Sequence, residues 1–366
     1  MMGQRNLKIS LKSGVIETPF FMPDATRATV RGLTSEEVFS SGIEALVVNT
    51  YHLLLQPGSA YVERFGGIHS FMRWNGPILS DSGGYQVYSL IHKHPDMGKV
   101  DEEKVTFRSP RDGSLYEITP EKSIAIQFAL GVDMMVCLDD PRPNEAPKEE
   151  IVDAVERSIR WARRCKDEYE RQIEKRNLSD NEKPLLFGVV QGGPYKDLRK
   201  RSVDELVKIG FDGYGFGARH IDEKGLFMED ILRYTASLLP EEKPRFALGI
   251  GTPFDIVKCF RLGWDMFDCV IPTREGRHGR AFCFEKNQIS WYKTLSVKNT
   301  CFREEKSPLE KGCDCKVCTG GYSLGYIHHL FRIGEMLGPH LVSLHNLRFY
   351  ARLMEKLRKN DQDLWC

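Results

Sequence analysis

No stretch of this 366-residue chain approaches the roughly 18 consecutive apolar residues that a membrane-spanning helix needs. An excess of charge of one sign is missing as well. Lys and Arg number 52 against 51 Asp and Glu, which excludes a globally basic nucleic-acid coat and leaves room only for a local basic patch. Low-complexity tracts and solenoid repeats are absent, and with 41% hydrophobic and 10% aromatic residues the disordered and fibrous classes fall away. The opening residues Met1 to Lys8 carry no apolar core of the secretory kind, so a cytoplasmic protein is expected. A disulfide framework is not expected. Cys137, Cys165, Cys259, Cys269 and Cys283 stand singly among apolar neighbours, where Cys behaves as a small core residue. Only Cys313, Cys315 and Cys318 cluster.

What is present is a repeat of element types. Short β-branched or aromatic runs recur near Thr18–Met22, Ala45–Thr50, Pro77–Ser80, Met134–Leu138, Leu185–Val190, Gly213–Phe216, Arg245–Ile250 and Met266–Ile271. Longer helical patterns separate them, with start signals at Thr34 (Glu37 three later), Thr119-Pro120 and Thr252-Pro253. The chain exceeds the roughly 250–300 residues at which one simple core stops growing. Eight strands alternating with helices predict an α/β fold, a (β/α)8 TIM barrel, carrying a C-terminal zinc-binding subdomain. The expected division is a catalytic barrel over 1–298, a zinc-binding subdomain over 299–346, and a final helix over 347–366 packing back on the barrel. Val105–Thr119 reads as an inserted hairpin around Arg111-Asp112-Gly113, and Ile151–Glu174 as a charged amphipathic helix.

The strand ends carry the chemistry. Ala-Leu-Val-Val ends in Asn49, Pro-Ile-Leu-Ser in Asp81-Ser82-Gly83-Gly84, and Met-Met-Val-Cys-Leu in Asp139-Asp140. Phe-Gly-Val-Val ends in Gln191-Gly192-Gly193, and Met-Phe in Asp268. Each places a polar group at the C-terminal mouth of the barrel, where active sites of this fold sit. Five together make a convergent polar site.

Cys313-Asp-Cys315-Lys-Val-Cys318 offers three thiolates within six residues. With His345 they make a donor set for a tetrahedral structural Zn2+, the first shell being filled. His328, His329 and His340 lie in the same segment, and spacing alone does not choose among the histidines.

At Leu79-Ser-Asp-Ser-Gly-Gly-Tyr-Gln86, at Phe267-Asp-Cys-Val-Ile-Pro-Thr-Arg274 and at the Cys-X-Cys-X2-Cys cluster with its histidine, the chain resembles the tRNA-guanine transglycosylases. Asn49-Thr-Tyr-His52, Gln191-Gly-Gly193 and Tyr326-Ile-His-His329 fit the same family, in the same order, from about Gly14 to Leu357. The size resembles the bacterial, homodimeric branch.

The resemblance implies exchange of guanine at the wobble position of certain tRNAs for a 7-deazaguanine base, on the route to queuosine. It implies Asp268 as the nucleophile on the ribose C1′ and Asp81 as the general acid/base. Asp139 and Gln191 would bond the guanine edge with Ser82 assisting, beside Gly217 and Ala218. Tyr85 and Leu248 would sandwich the ring, and Asn49 with Gln86 would orient the carboxylates. Arg274 and Arg277 would contact the anticodon loop of the tRNA partner. The chemistry agrees independently: displacing a base at an anomeric carbon passes through an oxocarbenium-like state that a carboxylate can trap, and a second carboxylate must manage the proton.

One stretch departs. The family usually carries Gly-Gly-Leu-Ala-Val-Gly-Glu after the sixth strand, where this chain has Gly217-Ala218-Arg219-His220-Ile221-Asp222-Glu223. A cation at Arg219 would repel an aminomethyl base and suit a neutral or hydrogen-bonding substituent, unless both side chains point to solvent. Three rivals stand beside this reading: a non-catalytic partner subunit, which the two aspartates argue against; a transglycosylase acting on DNA; and a glycoside hydrolase, which the zinc cluster fits poorly.

Overall fold

The fold is described from a computed structural model covering residues 5–285 and 290–365. All eight apolar runs become strands of one parallel sheet: β1 (Phe20–Pro23), β2 (Leu46–Asn49), β3 (Ile78–Asp81), β4 (Met134–Val136), β5 (Leu185–Val190), β6 (Gly213–Phe216), β7 (Arg245–Ala247) and β8 (Met266–Cys269). Each pairs with its neighbour in chain order, and β8 pairs with β1. The ring is completed between β1 and β2 by a single bridge, Asp24 to Val47, with Ala25 N–H donating to the Val47 carbonyl at 2.7 Å.

Side-chain alternation sorts every strand into two cores. Phe20 and Met22, Val47, Leu79, Met134 and Val136, Phe187 and Val189, Phe246 and Met266 fill the barrel interior. The intervening residues, such as Phe21, Leu46, Ile78, Met135, Leu186 and Phe267, face the helices. The period of two has a direct consequence at the mouth. Counting on from Met22, Val47, Leu79, Val189, Phe246 and Met266, the next inward positions are Asp24, Asn49, Asp81, Gln191, Leu248 and Asp268. The strands thus deliver their polar terminal residues to one spot.

Helix starts follow the expected caps. Thr34 and Glu37 form a capping box, Thr119 Oγ1 accepts from Lys122 N–H, and Thr252 Oγ1 from Asp255 N–H. The amphipathic helix spans Lys148–Arg176 and buries Ile151, Val155, Ile159, Ala162 and Tyr169, a stripe at helical spacing. The inserted hairpin is present as Val105–Arg108 paired with Leu115–Ile118, and Gly98–Val100 adds a third strand. An N-terminal hairpin, Lys8–Leu11 with Gly14–Glu17, was not anticipated; Ile9 and Ile16 close the lower end of the barrel core. Beyond β8 come the helix Ile271–Arg277, the strand pair Arg280–Phe284 and Tyr292–Ser296, and the long helix Leu337–Arg358. That helix runs across the junction expected at 346, so the cysteine cluster and the barrel share one rigid element. Among the described residues no helix is long and apolar enough to cross a membrane.

Candidate active site and metal cluster

A pocket of about 320 Å³ opens at the carboxyl ends of the strands, with Asp81, Asp139 and Asp268 in its walls. Asp81 ends β3 directly opposite Asn49 at the end of β2. Asn49 also caps the helix Thr50–Leu55, its Oδ1 accepting from His52 N–H at 3.2 Å, so its amide N–H is turned to Asp81 at 2.9 Å. Burial pushes the Asp81 carboxyl up to about 6, against the Ser82 and Gly83 N–H groups and the Asn49 and Gln86 amides that favour its anion. Gln86 shares the pocket wall, and its Oε1 is buried with no partner among the described residues.

Asp139 follows β4 and accepts from Gln191 Nε2 at 2.6 Å. Burial, helped by the charges of Asp81 and Asp140, pushes it up to about 7. Gly84 makes this approach possible, since a Cβ there would lie 2.9 Å from the Asp139 carbonyl. Asp268 accepts from Gly249 N–H at 2.6 Å, and burial together with Asp81 and Asp24 also pushes it up to about 7. No Lys or Arg pairs with any of these three carboxylates among the described residues. Burial and like charge favour the protonated forms of these acids, and Arg219 lies at the rim of the pocket they share.

The other expected residues divide. Tyr85, half exposed, and Leu248 line the pocket, as do Gly217, Ala218, Arg219 and His220. Ser82 does not reach the pocket wall: it is buried behind it, its Oγ accepting from Gly84 N–H at 3.3 Å. Asn49 and Gln86 hold Asp81, whereas Asp268 is oriented by the Gly249 backbone. Arg274 and Arg277 lie on the helix Ile271–Arg277 rather than in a loop, and open onto two neighbouring clefts. Arg277 has a buried Nη1 without a partner among the described residues, and Arg31 shares its cleft. Arg219 is exposed at the pocket rim, while His220 turns toward Asp255 at 3.6 Å; Asn144 Nδ2 fastens the carbonyls of Arg219 and Ile221 at 2.9 Å each. Sequence reasoning missed Asp24, which lies one residue beyond its strand. It also missed the buried Arg199.

At the C-terminal side, Cys313, Cys315, Cys318 and His345 place their donor atoms within 4.8 Å of one another. The His345 Nδ1 lies 3.8, 3.4 and 3.5 Å from the three sulfurs, and Nε2 lies 2.8 Å from the Phe282 carbonyl. That second contact assigns the ring proton to Nε2 and leaves the Nδ1 lone pair for an ion. His328 is instead engaged by the Val297 carbonyl, and His340 by Gly32 and Glu37. Next to His345, the fully buried Asn346 donates to the carbonyls of Pro272 and Arg280 and accepts from Phe282 N–H, all at 2.9 Å. Tyr350, one turn on, donates to the Gly251 carbonyl at 2.6 Å. One helix thus holds a cluster ligand and both segments flanking Asp268.

Comparison with known proteins agrees with this geometry. Residues 2–362 match the family model described as queuine tRNA-ribosyltransferase. Curated relatives of that name include those of Zymomonas mobilis, 43% identical over 96% of this chain and 86% of the relative, and Halothermothrix orenii, 43% identical over 96% and 88%. A third, from Aliivibrio salmonicida, is 44% identical over 97% and 89%. The chain belongs to the queuine tRNA-ribosyltransferase family, a class of pentosyl-transferring enzymes.

Proposed function

We propose that the protein exchanges guanine at the wobble position of tRNA for a 7-deazaguanine base through a covalent Asp268–ribose intermediate. The observation that carries this reading is the convergence of Asp81, Asp139 and Asp268, none of them in an ion pair among the described residues, on one base-sized pocket with Gln191. Asp268 attacks the ribose C1′ as the glycosidic bond breaks, and the base leaves with the bonding electrons and takes a proton from Asp81. In the second half the incoming base gives its ring proton to Asp81, attacks C1′ and expels the Asp268 carboxylate. Burial pushes the Asp268 carboxyl up to about 7, and the positive charge that develops on the ribose favours its anion. Asp139 accepts from the base N–H groups and Gln191 donates to its carbonyl. Tyr85 and Leu248 enclose the ring, and Arg274 and Arg277 engage the anticodon loop through their planar forks.

The cysteine cluster suits Zn2+ in a structural role, because three thiolates and an imidazole fill a tetrahedral shell and leave no open position. The protein is cytoplasmic and works as a homodimer; exposed Tyr326, stacked on Tyr322, together with Ile333 and Met336, offers an apolar patch for the second copy. The Arg219 guanidinium at the pocket rim favours a base whose 7-substituent carries no ammonium, such as a nitrile. Incorporation of radiolabelled guanine into unmodified tRNA, with duplex DNA as control, tests the exchange, and competition among deazaguanines identifies the base. Label in DNA, or in neither polymer from folded metal-loaded protein, would overturn the reading.

A further inference from the structure

Arg199 sits on the helix Lys196–Ile209, fully buried, and no carboxylate pairs with it among the described residues. Its guanidinium is instead consumed by backbone. Nε donates to the Gly193 carbonyl at 3.0 Å and Nη1 to the Val190 carbonyl at 2.7 Å. Nη1 and Nη2 both donate to the Gly217 carbonyl at 3.1 Å, and the charge lies 4.1 Å from the centre of the Phe216 ring. Burial pushes the group down to about 9, so it remains a cation at neutral pH. An unpaired buried cation is costly, and apolar packing of the same volume is often as stable.

What these carbonyls have in common is position. Val190 and Gly193 bracket Gln191 at the end of β5, and Gly217 follows β6, where Gly217 N–H donates to the same Val190 carbonyl at 2.9 Å. Gly217 packs so tightly on Gln191 that a Cβ there would lie 2.4 Å from the Gln191 Nε2. The Gly217–Ala218 peptide is trans and planar, so a carbonyl pinned by Arg199 aims the Ala218 N–H the opposite way. Ala218 lines the pocket, has a φ of 71° that a residue with a Cβ adopts only under constraint, and its N–H meets no acceptor among the described residues.

We infer that Arg199 is a positioning residue that locks the two donors reading the carbonyl oxygen of the base, the Gln191 amide and the Ala218 N–H, into one fixed pair. The inference rests on the base-exchange reading above and goes further by assigning carbonyl selectivity to a side chain that never touches the base. Donors held without freedom discriminate strongly against a ligand lacking the acceptor, because they are then left unpaired.

The test compares guanine with 6-thioguanine, which keeps the ring N–H and amino groups and weakens only the acceptor, as competitors in the exchange assay. Wild-type protein is expected to favour guanine by about tenfold or more. In Arg199→Met the KM for guanine rises about tenfold and the preference shrinks to within about threefold, while the KM for tRNA and the rate at saturating base change little. Arg199→Lys, which keeps the charge but cannot bridge three carbonyls, falls between and covers the case in which the Met variant fails to fold. Equal loss for both bases, or full preference retained in either folded variant, overturns the inference. No guanine exchange by wild-type protein would instead remove the base-exchange reading itself.

Discussion

The barrel mouth and the cysteine cluster both withdraw chargeable groups from water, and they treat the cost in opposite ways. At the mouth, three carboxyls are lifted well above their ordinary range and face a cavity in which none of them forms an ion pair among the described residues. At the cluster, four donors close on one another in the interior, with the imidazole proton already committed to Phe282. The first arrangement stays unsatisfied until a ligand brings charge and hydrogen bonds; the second is complete once one ion is bound. A catalytic site and a structural site can therefore be told apart by whether the polar groups point at space or at each other.

The sharpest way to break the comparison is at Asp268. Asp268→Asn is expected to lower exchange on the order of 10³-fold or more while tRNA binding, read by filter retention, persists. Full activity would sink the nucleophile assignment. Metal removal or Cys315→Ser attacks the other region and should cost on the order of several kcal/mol of its stability, seen as a lower melting temperature and early proteolysis after 299. The KM for tRNA should rise before the KM for the base, because Asn346 steers the Ile271–Arg277 helix and not the pocket. Unchanged melting after verified metal loss would contradict the structural role.

A third experiment turns the raised carboxyls into a pH signature. Asp268 is lifted from near 3.8 to about 7, so its contribution to stability is complete below about pH 4 and is lost as the pH rises through 7. Asparagine has no such loss. The Asp268→Asn protein should therefore gain on wild type by about 1–2 kcal/mol between pH 5 and pH 8, a figure reduced for the access of solvent to the pocket. Parallel melting curves across that range would argue against burial of the carboxyl. The smallest effect is expected at the link between the two regions. Tyr350→Phe removes the bond to Gly251 and should cost about 1 kcal/mol and a few-fold in exchange rate, with base KM unchanged.

Most of the barrel was legible because its strands are short apolar runs, five of them ending in a polar residue. The inward face of those ends needed only the period of two. The N-terminal hairpin was not legible: four-residue strands with one buried side chain apiece leave almost no pattern. Arg199 stands in Lys-Asp-Leu-Arg-Lys-Arg, where a buried cation looks like part of a solvated basic face. Asp24 follows Pro23, one residue beyond its strand, and so lacked the strand-end pattern that marked the other aspartates. The left-handed Gly83 turns the chain after Ser82, whose hydroxyl accepts from Gly84 N–H, a local contact that the motif alone did not announce. Among four histidines, His345 could be singled out only once the helix Leu337–Arg358 had placed it over the three sulfurs.

The closure of the barrel carries one more consequence. Neighbouring strands elsewhere share two to four register positions, whereas β1 and β2 meet at the Asp24–Val47 bridge alone. The cylinder is in effect a split ring, with its slit beside Asp24. Held by the fewest register positions of any seam, it is the place where the ring can widen at the least cost in backbone hydrogen bonds.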